Sequence, residues 1–320
     1  MRTFPAALAL FLALAALGCG RKENAEPAEG RDGARERSAE TRRCDGVRYD
    51  PAEKSCVQDR RQRNHLVWRC ASGRIDRDAR FCLDGQRMKP VCAGEPYDPA
   101  KKLCDPRGRE LLARDSACGT LVDPRDGKSY RTVRIGRRLW MAENLDYNDT
   151  AISRGLVRNS WCFDDDEAAC ARRGRLYTWT AAMDLDPGWQ NAPAAGEIDV
   201  PHRGICPEGW HVPTNREWDA LLNEVAGSWP WDPPTALLRA RSWNGVDLHG
   251  FAVAPTGFRT ADGEYFDADS VAAFWTATES TLPSDAYYRR FAAESDEGEP
   301  VYRGFLKSYG RALRCAKDPS

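Results

Sequence analysis

Cysteines, histidines, carboxylates and indoles are the side chains of this 320-residue chain whose spacing could do chemistry. Cys206 lies between His202 and His211, close enough along the chain for a thiol nucleophile with an imidazole base. The same three residues could hold a zinc ion. Against both stands the abundance of thiols. Twelve cysteines are many for a reducing compartment and ordinary for an oxidising one, where a cysteine with available partners is more often a bridge than a nucleophile. His-Glu-x-x-His, Gly-x-Ser-x-Gly and a phosphate-binding glycine loop do not occur, which removes those catalytic templates. Paired carboxylates for hydrolysis stay open, because 48 acidic residues allow many pairs and spacing does not choose one.

Two further groups could hold a ligand. Asp262, Glu264, Asp267 and Asp269 crowd one loop, and oxygen-rich loops suit Ca²⁺, which takes about six to eight oxygen ligands. The EF-hand spacing is missing and a solvated turn is the simpler reading, so calcium is the one cofactor the sequence suggests, and only weakly. Trp229, Trp231 and Trp243 could offer stacking faces to sugar rings, since aromatic residues combine a large apolar face with a polar edge. The Trp229-Pro-Trp-Asp-Pro-Pro234 run reads as an exposed loop, equally compatible with ligand contact and with loop packing.

The N-terminal residues indicate a compartment. Met1-Arg2 is followed by an apolar, small-residue run from Ala6 to Gly18. That run is shorter than the ~20 residues a membrane-spanning helix needs, but it suits the core of a secretory signal. It ends Ala15-Ala-Leu-Gly-Cys19, which resembles the lipobox of bacterial lipoproteins, with Ala16 where Leu is favoured. The expectation is an exported chain, lipidated on Cys19 and anchored by acyl chains at about 0.8 kcal/mol per buried CH₂. The alternative is an ordinary signal cut nearby. Gly20, where an aspartate would favour retention at the inner membrane, points to the outer membrane. Residues 20–43 mix Arg, Glu, Ala and Gly without apolar periodicity and read as a disordered tether. Their alternating charge, and a formal net charge of -1 for the whole chain, argue against a nucleic-acid arm.

Residues 44–117 repeat. Cys44-Asp-Gly-Val-Arg-Tyr49-Asp50-Pro51-Ala52 closing at Cys56 reappears as Cys92-Ala-Gly-Glu-Pro-Tyr97-Asp98-Pro99-Ala100 closing at Cys104, with a degenerate copy from Cys70 to Cys82 between them. Matched spacings of this kind mark an internal repeat. Each unit is too small for its own core, so a bridge worth about 2–4 kcal/mol is the expected staple. Pairing within units and pairing between them (Cys56 with Cys70, for example) both remain open, as does the odd cysteine, Cys118. Tyr-Asp-Pro-Ala reads as a turn leaving a short strand.

From 118 to 320 the texture changes. Ser129–Ile135 and Arg138–Met141 read as a hairpin around Gly136-Arg137. Thr214 and Glu217 form a capping box, Trp218, Leu221, Leu222 and Val225 follow at helical spacing, and Gly227 is the expected stop. A second helix is expected near Glu167 to Arg173, with Asp164, Asp165 and Asp166 at its positive end. Cys162 and Cys170 are close enough to close a local loop. Few helices, short aromatic strands and long loops make an α+β domain.

Its strings run in order: Asp126-Gly-Lys-Ser-Tyr-Arg-Thr-Val-Arg-Ile-Gly, Leu139-Trp-Met-Ala-Glu-Asn-Leu145, Gly174-Arg-Leu-Tyr-Thr-Trp-Thr-Ala-Ala-Met183, Gly204-Ile-Cys-Pro-Glu-Gly-Trp-His-Val-Pro-Thr214, Phe274-Trp-Thr-Ala-Thr278 and Leu313-Arg-Cys315. This succession resembles the Fibrobacter succinogenes major paralogous domain, found in exported bacterial proteins and not tied to an established activity. Trp210-His-Val-Pro-Thr-x-x-Glu-Trp218 also resembles a string of formylglycine-generating enzymes, whose fold belongs to the C-type-lectin-like group. That second resemblance implies a twisted antiparallel sheet, two helices and long ligand-bearing loops. It also implies that a Cys206–Cys315 bridge would act like the outer disulfide of lectin-like folds. The paired catalytic cysteines of those enzymes have no counterpart, because Cys315 stands alone near the C-terminus. The resulting expectation is a non-catalytic surface lipoprotein that binds carbohydrate or a surface protein and not nucleic acid. An enzyme of formylglycine-generating or hydrolase type and a structural coat protein are the alternatives.

Overall fold

The computed structural model describes residues 41–320 apart from 73–74, 76–78, 85, 100, 105–110, 114–118, 294–302 and 320. The signal segment with Cys19, the tether and Cys118 lie outside the described residues. No helix among the described residues is long and apolar enough to cross a membrane.

The repeat sequence translates directly into backbone. Asp45 and Gly46, like Ala93 and Gly94, have positive φ (47° and 84°, 53° and 85°), the conformation of the tightest hairpin turns, in which glycine is free of steric penalty. They join Arg42–Cys44 to Val47–Tyr49 and Arg87–Cys92 to Glu95–Pro96. In each outer copy the Asp of Tyr-Asp-Pro then turns the chain. The Asp50 carbonyl accepts from Glu53 and Lys54, and that of Asp98 from Lys101 and Lys102. The next strand (Lys54–Gln58 or Lys102–Cys104) brings back the closing cysteine. Every bridge is therefore intra-unit: Cys44–Cys56, Cys70–Cys82 and Cys92–Cys104. The middle copy carries its glycine one place later and begins with a 3-10 turn, Cys70–Ser72.

The repeats share one five-stranded sheet, ordered Lys54–Gln58, Asn64–Arg69, Phe81–Asp84, Arg87–Cys92 and Glu95–Pro96. Only the pair Asn64–Arg69 with Phe81–Asp84 is parallel.

The following domain is mixed α/β, mostly sheet with few helices. Its main sheet runs Gly119–Val122, Ser129–Ile135, Arg138–Met141, Ala316–Lys317 and Trp210–His211, all antiparallel. The last strand is Ala316–Lys317, so Cys315 precedes it. A second sheet pairs Val271–Glu279 with Asp285–Ala292 and then Arg303–Leu306. Ile135 opposes Arg138 across Gly136-Arg137, as the hairpin reading expects.

The helix Glu167–Arg173 starts where Asp166 accepts the Ala168 amide and ends at Gly174, φ 74°. The Cys162–Cys170 bridge ties it to the preceding loop. The long helix Asn215–Ser228 has the full Thr214/Glu217 capping box and buries Trp218, Leu221, Leu222 and Val225. It passes through Gly227 and stops at Ser228. The brake is Pro230, which disfavours the α region for the residue before it, and Trp229 is extended, φ -150° and ψ 96°. Beneath this helix lies an aromatic cluster in which Trp140 and Trp218 centroids are 5.1 Å apart, and Trp218 stacks on Phe274 at 5.6 Å. Phe81 and Met88 of the repeats pack against the same cluster.

Candidate functional site

The candidate nucleophile does not exist as a thiol. Cys206 is bonded to Cys315, 109 residues away, and both are fully buried. That bridge removes the Cys206 dyad and the His202–Cys206–His211 zinc set together. His202 Nε2 lies 2.8 Å from the Met183 carbonyl. His211, also buried, has both ring nitrogens occupied: Nδ1 is 2.8 Å from Asp318 and Nε2 is 2.9 Å from Glu217. Burial alone would raise the Glu217 carboxyl, but hydrogen bonds from His211 and Thr214 and the charges of His211 and Arg138 hold it at about 2. Burial alone would lower the His211 imidazolium, and Glu217 and Asp318 raise it instead. The helix cap, the Trp210–His211 strand and the residue after the last strand are thus locked by one ionic network. The arrangement is a brace with no open position for a reacting group.

The acidic loop does not present a gathered set of ligand atoms. Among the described residues the only three-residue group with metal-ligand spacing is Cys162, Glu167 and Cys170, and the bridge consumes both sulfurs. Asp262, Glu264, Asp267 and Asp269 do not gather three ligand oxygens. The strands Phe258–Arg259 and Tyr265–Phe266 space the carboxylates along a hairpin and the turn after it, and Asp269 accepts from Arg173 at 3.0 Å.

Of the three tryptophans, Trp243 is buried in the aromatic core, with the Arg239 guanidinium 5.6 Å from its ring. It is not a ligand face. Trp229 and Trp231 lie at the junction with the repeats. Their rings are 5.5 Å apart, and Phe81 packs edge-on against Trp231 at 4.3 Å and Trp229 at 6.3 Å. His65 meets Trp231 at 5.6 Å. Trp229 is buried at this junction and Trp231 is half-buried, so the packing of both joins the repeats to the domain.

The half-buried Phe81 and the buried Trp229 are part of the wall of a 670 Å³ cleft. The long helix supplies Asn223, Ala226 and Gly227, and the Pro-rich loop supplies Pro230, Asp232 and Pro234. Facing them, the repeats contribute Arg60, Arg61, Arg63, His65 and Arg80. These arginines are exposed. Their turn is preorganised by Asp59, whose side chain is inaccessible to solvent. Asp59 accepts the amides of Arg61 at 2.8 Å and Arg63 at 3.0 Å, and Arg63 Nε at 2.8 Å. Burial would raise its carboxyl, but hydrogen bonds from His65, Arg63 and Arg61 hold it well below the carboxylate range. Asp232, the single carboxylate of the lining among the described residues, accepts the Trp229 indole N–H at 2.7 Å.

Sequence reasoning missed this arginine turn and a set of buried cations. Arg311 is buried with Tyr288 3.7 Å away and Trp275, Phe305 and Phe258 around it, and burial lowers it to about 10. Lys307 donates to Glu279 at 2.5 Å and to two carbonyls of the 187–197 loop. Arg314 donates to Asn144 and the Phe251 carbonyl. The only signal for any of them was Arg314 inside the Leu313-Arg-Cys315 string, because charge at a core position is invisible to a hydrophobic pattern.

Fold and site together define a disulfide-stapled α/β domain with a cationic, aromatic-walled cleft against its repeats. The Fibrobacter succinogenes major domain matches residues 133–317, more than half of the chain, and the chain belongs to that family. No curated protein matches the chain, and no solved structure does.

Proposed function

We propose that this protein is an exported lipoprotein, anchored through Cys19 to the outer membrane, whose domain binds carbohydrate and does not catalyse. The observation that carries the reading is the 670 Å³ cleft. The Phe81 ring and multiple N–H donors in one lining suit a ligand with both apolar faces and many acceptors. The bridged Cys206 and the fully partnered His211 support a binding role, since neither is available to react. A C-type-lectin-like arrangement is supported by the pairing of Ala316–Lys317 with Arg138–Met141, which sets the first and last parts of the domain side by side with long loops between.

Gly227 allows a clean test, because a Cβ there meets nothing within 4 Å. Gly227→Trp should occupy the cleft without disturbing the core. The full-length oxidised protein is expected to bind saturably to at least one member of a panel of soluble and insoluble glycans, and Gly227→Trp to abolish it. Binding that the variant leaves intact, or none at all by a folded chain, overturns the proposal. For the anchor, metabolic palmitate labelling should be lost in Cys19→Ala; an unlabelled parent overturns it.

A further inference from the structure

We infer that the ligand of this cleft is an acidic polysaccharide, its carboxylates or sulfates held by the Arg60–Arg63 turn and Arg80 while a sugar face rests on the half-buried Phe81. The inference rests on the carbohydrate reading above and adds the charge of the substrate.

Composition makes the cleft unusual. The chain carries 47 basic and 48 acidic residues, for a formal net charge of -1. Among the described residues the cleft nevertheless collects four arginines and a histidine against one carboxylate. That carboxylate faces the Trp229 indole N–H. Asp59 sits inside the turn, bonded to Arg63 and His65, and offsets part of their charge without entering the lining. Arg61 and Arg80 add charge from two different strand connections, and the backbone amide of Arg60 is joined to the Pro230 carbonyl across the cleft at 3.4 Å. Among the described residues the arginines are joined by no lysine. The Arg63 guanidinium is engaged by Asp59 through Nε and Nη2, both at 2.8 Å, which leaves the forks of Arg61 and Arg80 to match the oxygen pairs of carboxylate and sulfate, a fit an ammonium does not offer. The turn is held by hydrogen bonds before any ligand arrives, so little ordering opposes binding.

Calorimetry of the full-length oxidised protein with polygalacturonate, dextran sulfate, neutral dextran and polyglutamate tests this. At least one acidic glycan should bind about tenfold or more tighter than dextran, and the two acidic arms separate carboxylate from sulfate as the group read. Raising salt from about 0.05 to 0.5 M should weaken binding about tenfold or more as screening shortens. Arg61→Glu with Arg80→Glu should reduce affinity at least about tenfold, with an unchanged melting temperature because both side chains are exposed. Dextran bound as well as the acidic polymers, and unaffected by the double variant, overturns the charge inference and leaves the carbohydrate reading standing. Polyglutamate bound as tightly as the acidic glycans overturns it too, because the site would then read charge without sugar. No glycan bound by the folded chain overturns both.

Discussion

Removing the Cys206–Cys315 bridge should be the most damaging single covalent change to this domain. The bridge closes a loop of 109 residues. Chain-entropy arguments assign a loop of that length roughly 16 cal/mol/K, or about 4.8 kcal/mol at 25 °C. The Cys162–Cys170 bridge closes only 8 residues, for about 2.5 kcal/mol. Local structure points the same way. The strand Ala316–Lys317 is inserted between Arg138–Met141 and Trp210–His211 but has one registered partner in the former, Trp140. Just before it, the Cys315 carbonyl accepts the Met141 amide at 3.0 Å. Without the bridge this strand depends on a few hydrogen bonds and the His211–Asp318 contact. The assay is urea unfolding followed by tryptophan fluorescence, comparing Cys206→Ala/Cys315→Ala with Cys162→Ala/Cys170→Ala. With a slope of about 3 kcal/mol/M, midpoints should fall by about 1.6 M and about 0.8 M respectively. Equal shifts, or a larger shift for the local pair, would refute the loop-entropy reasoning.

Three further outcomes are expected. Glu217 ionises at about 2 when folded against 4.5 as its ordinary value, so its stabilisation, on the order of 3 kcal/mol, is present above pH 4.5 and lost as pH falls towards 2. His211 is raised, so its share is full below its ordinary 6.5 and fades as pH rises through the folded value. Urea midpoints across pH 2–8 should therefore fall at both ends in the parent, and Glu217→Gln should flatten both slopes; parallel curves would refute the pairing. Glu279→Ala should destabilise by about 3–5 kcal/mol, because it strands the fully buried Lys307 ammonium, and a melting temperature within error of the parent would contradict that. Gly227→Ala, in the last turn of the long helix with open space at its Cβ, should stabilise by about 0.4–1 kcal/mol in the same measurement.

Local grammar was readable wherever a few neighbouring residues decide a conformation. Tyr-Asp-Pro encodes a turn, closed by the Asp50 and Asp98 carbonyls accepting from Lys54 and Lys102. Thr214 and Glu217 encode a helix start because two side chains satisfy two orphan amides. Asp166 and Gly174 bracket the shorter helix for the same kind of reason. Reading went astray where the deciding partner was remote. Gly227 looked like a stop, yet Pro230 sets the end. Trp243 looked available, yet the core beneath the Pro234–Leu238 helix buries it.

The sequence by itself determined the repeat, its turns, the helix caps and the family of the domain, because each rests on spacings within about a dozen residues. Tertiary structure decided the disulfide partners where several were open, the burial of Arg311, Lys307 and Arg314, and the cleft. Its arginines come from repeat loops and its indole from a segment some 150 residues later. Packing of Phe81 and His65 against Trp229 and Trp231, with the Arg60 amide on the Pro230 carbonyl, brings those segments together, and those contacts have no period or motif a chain can display.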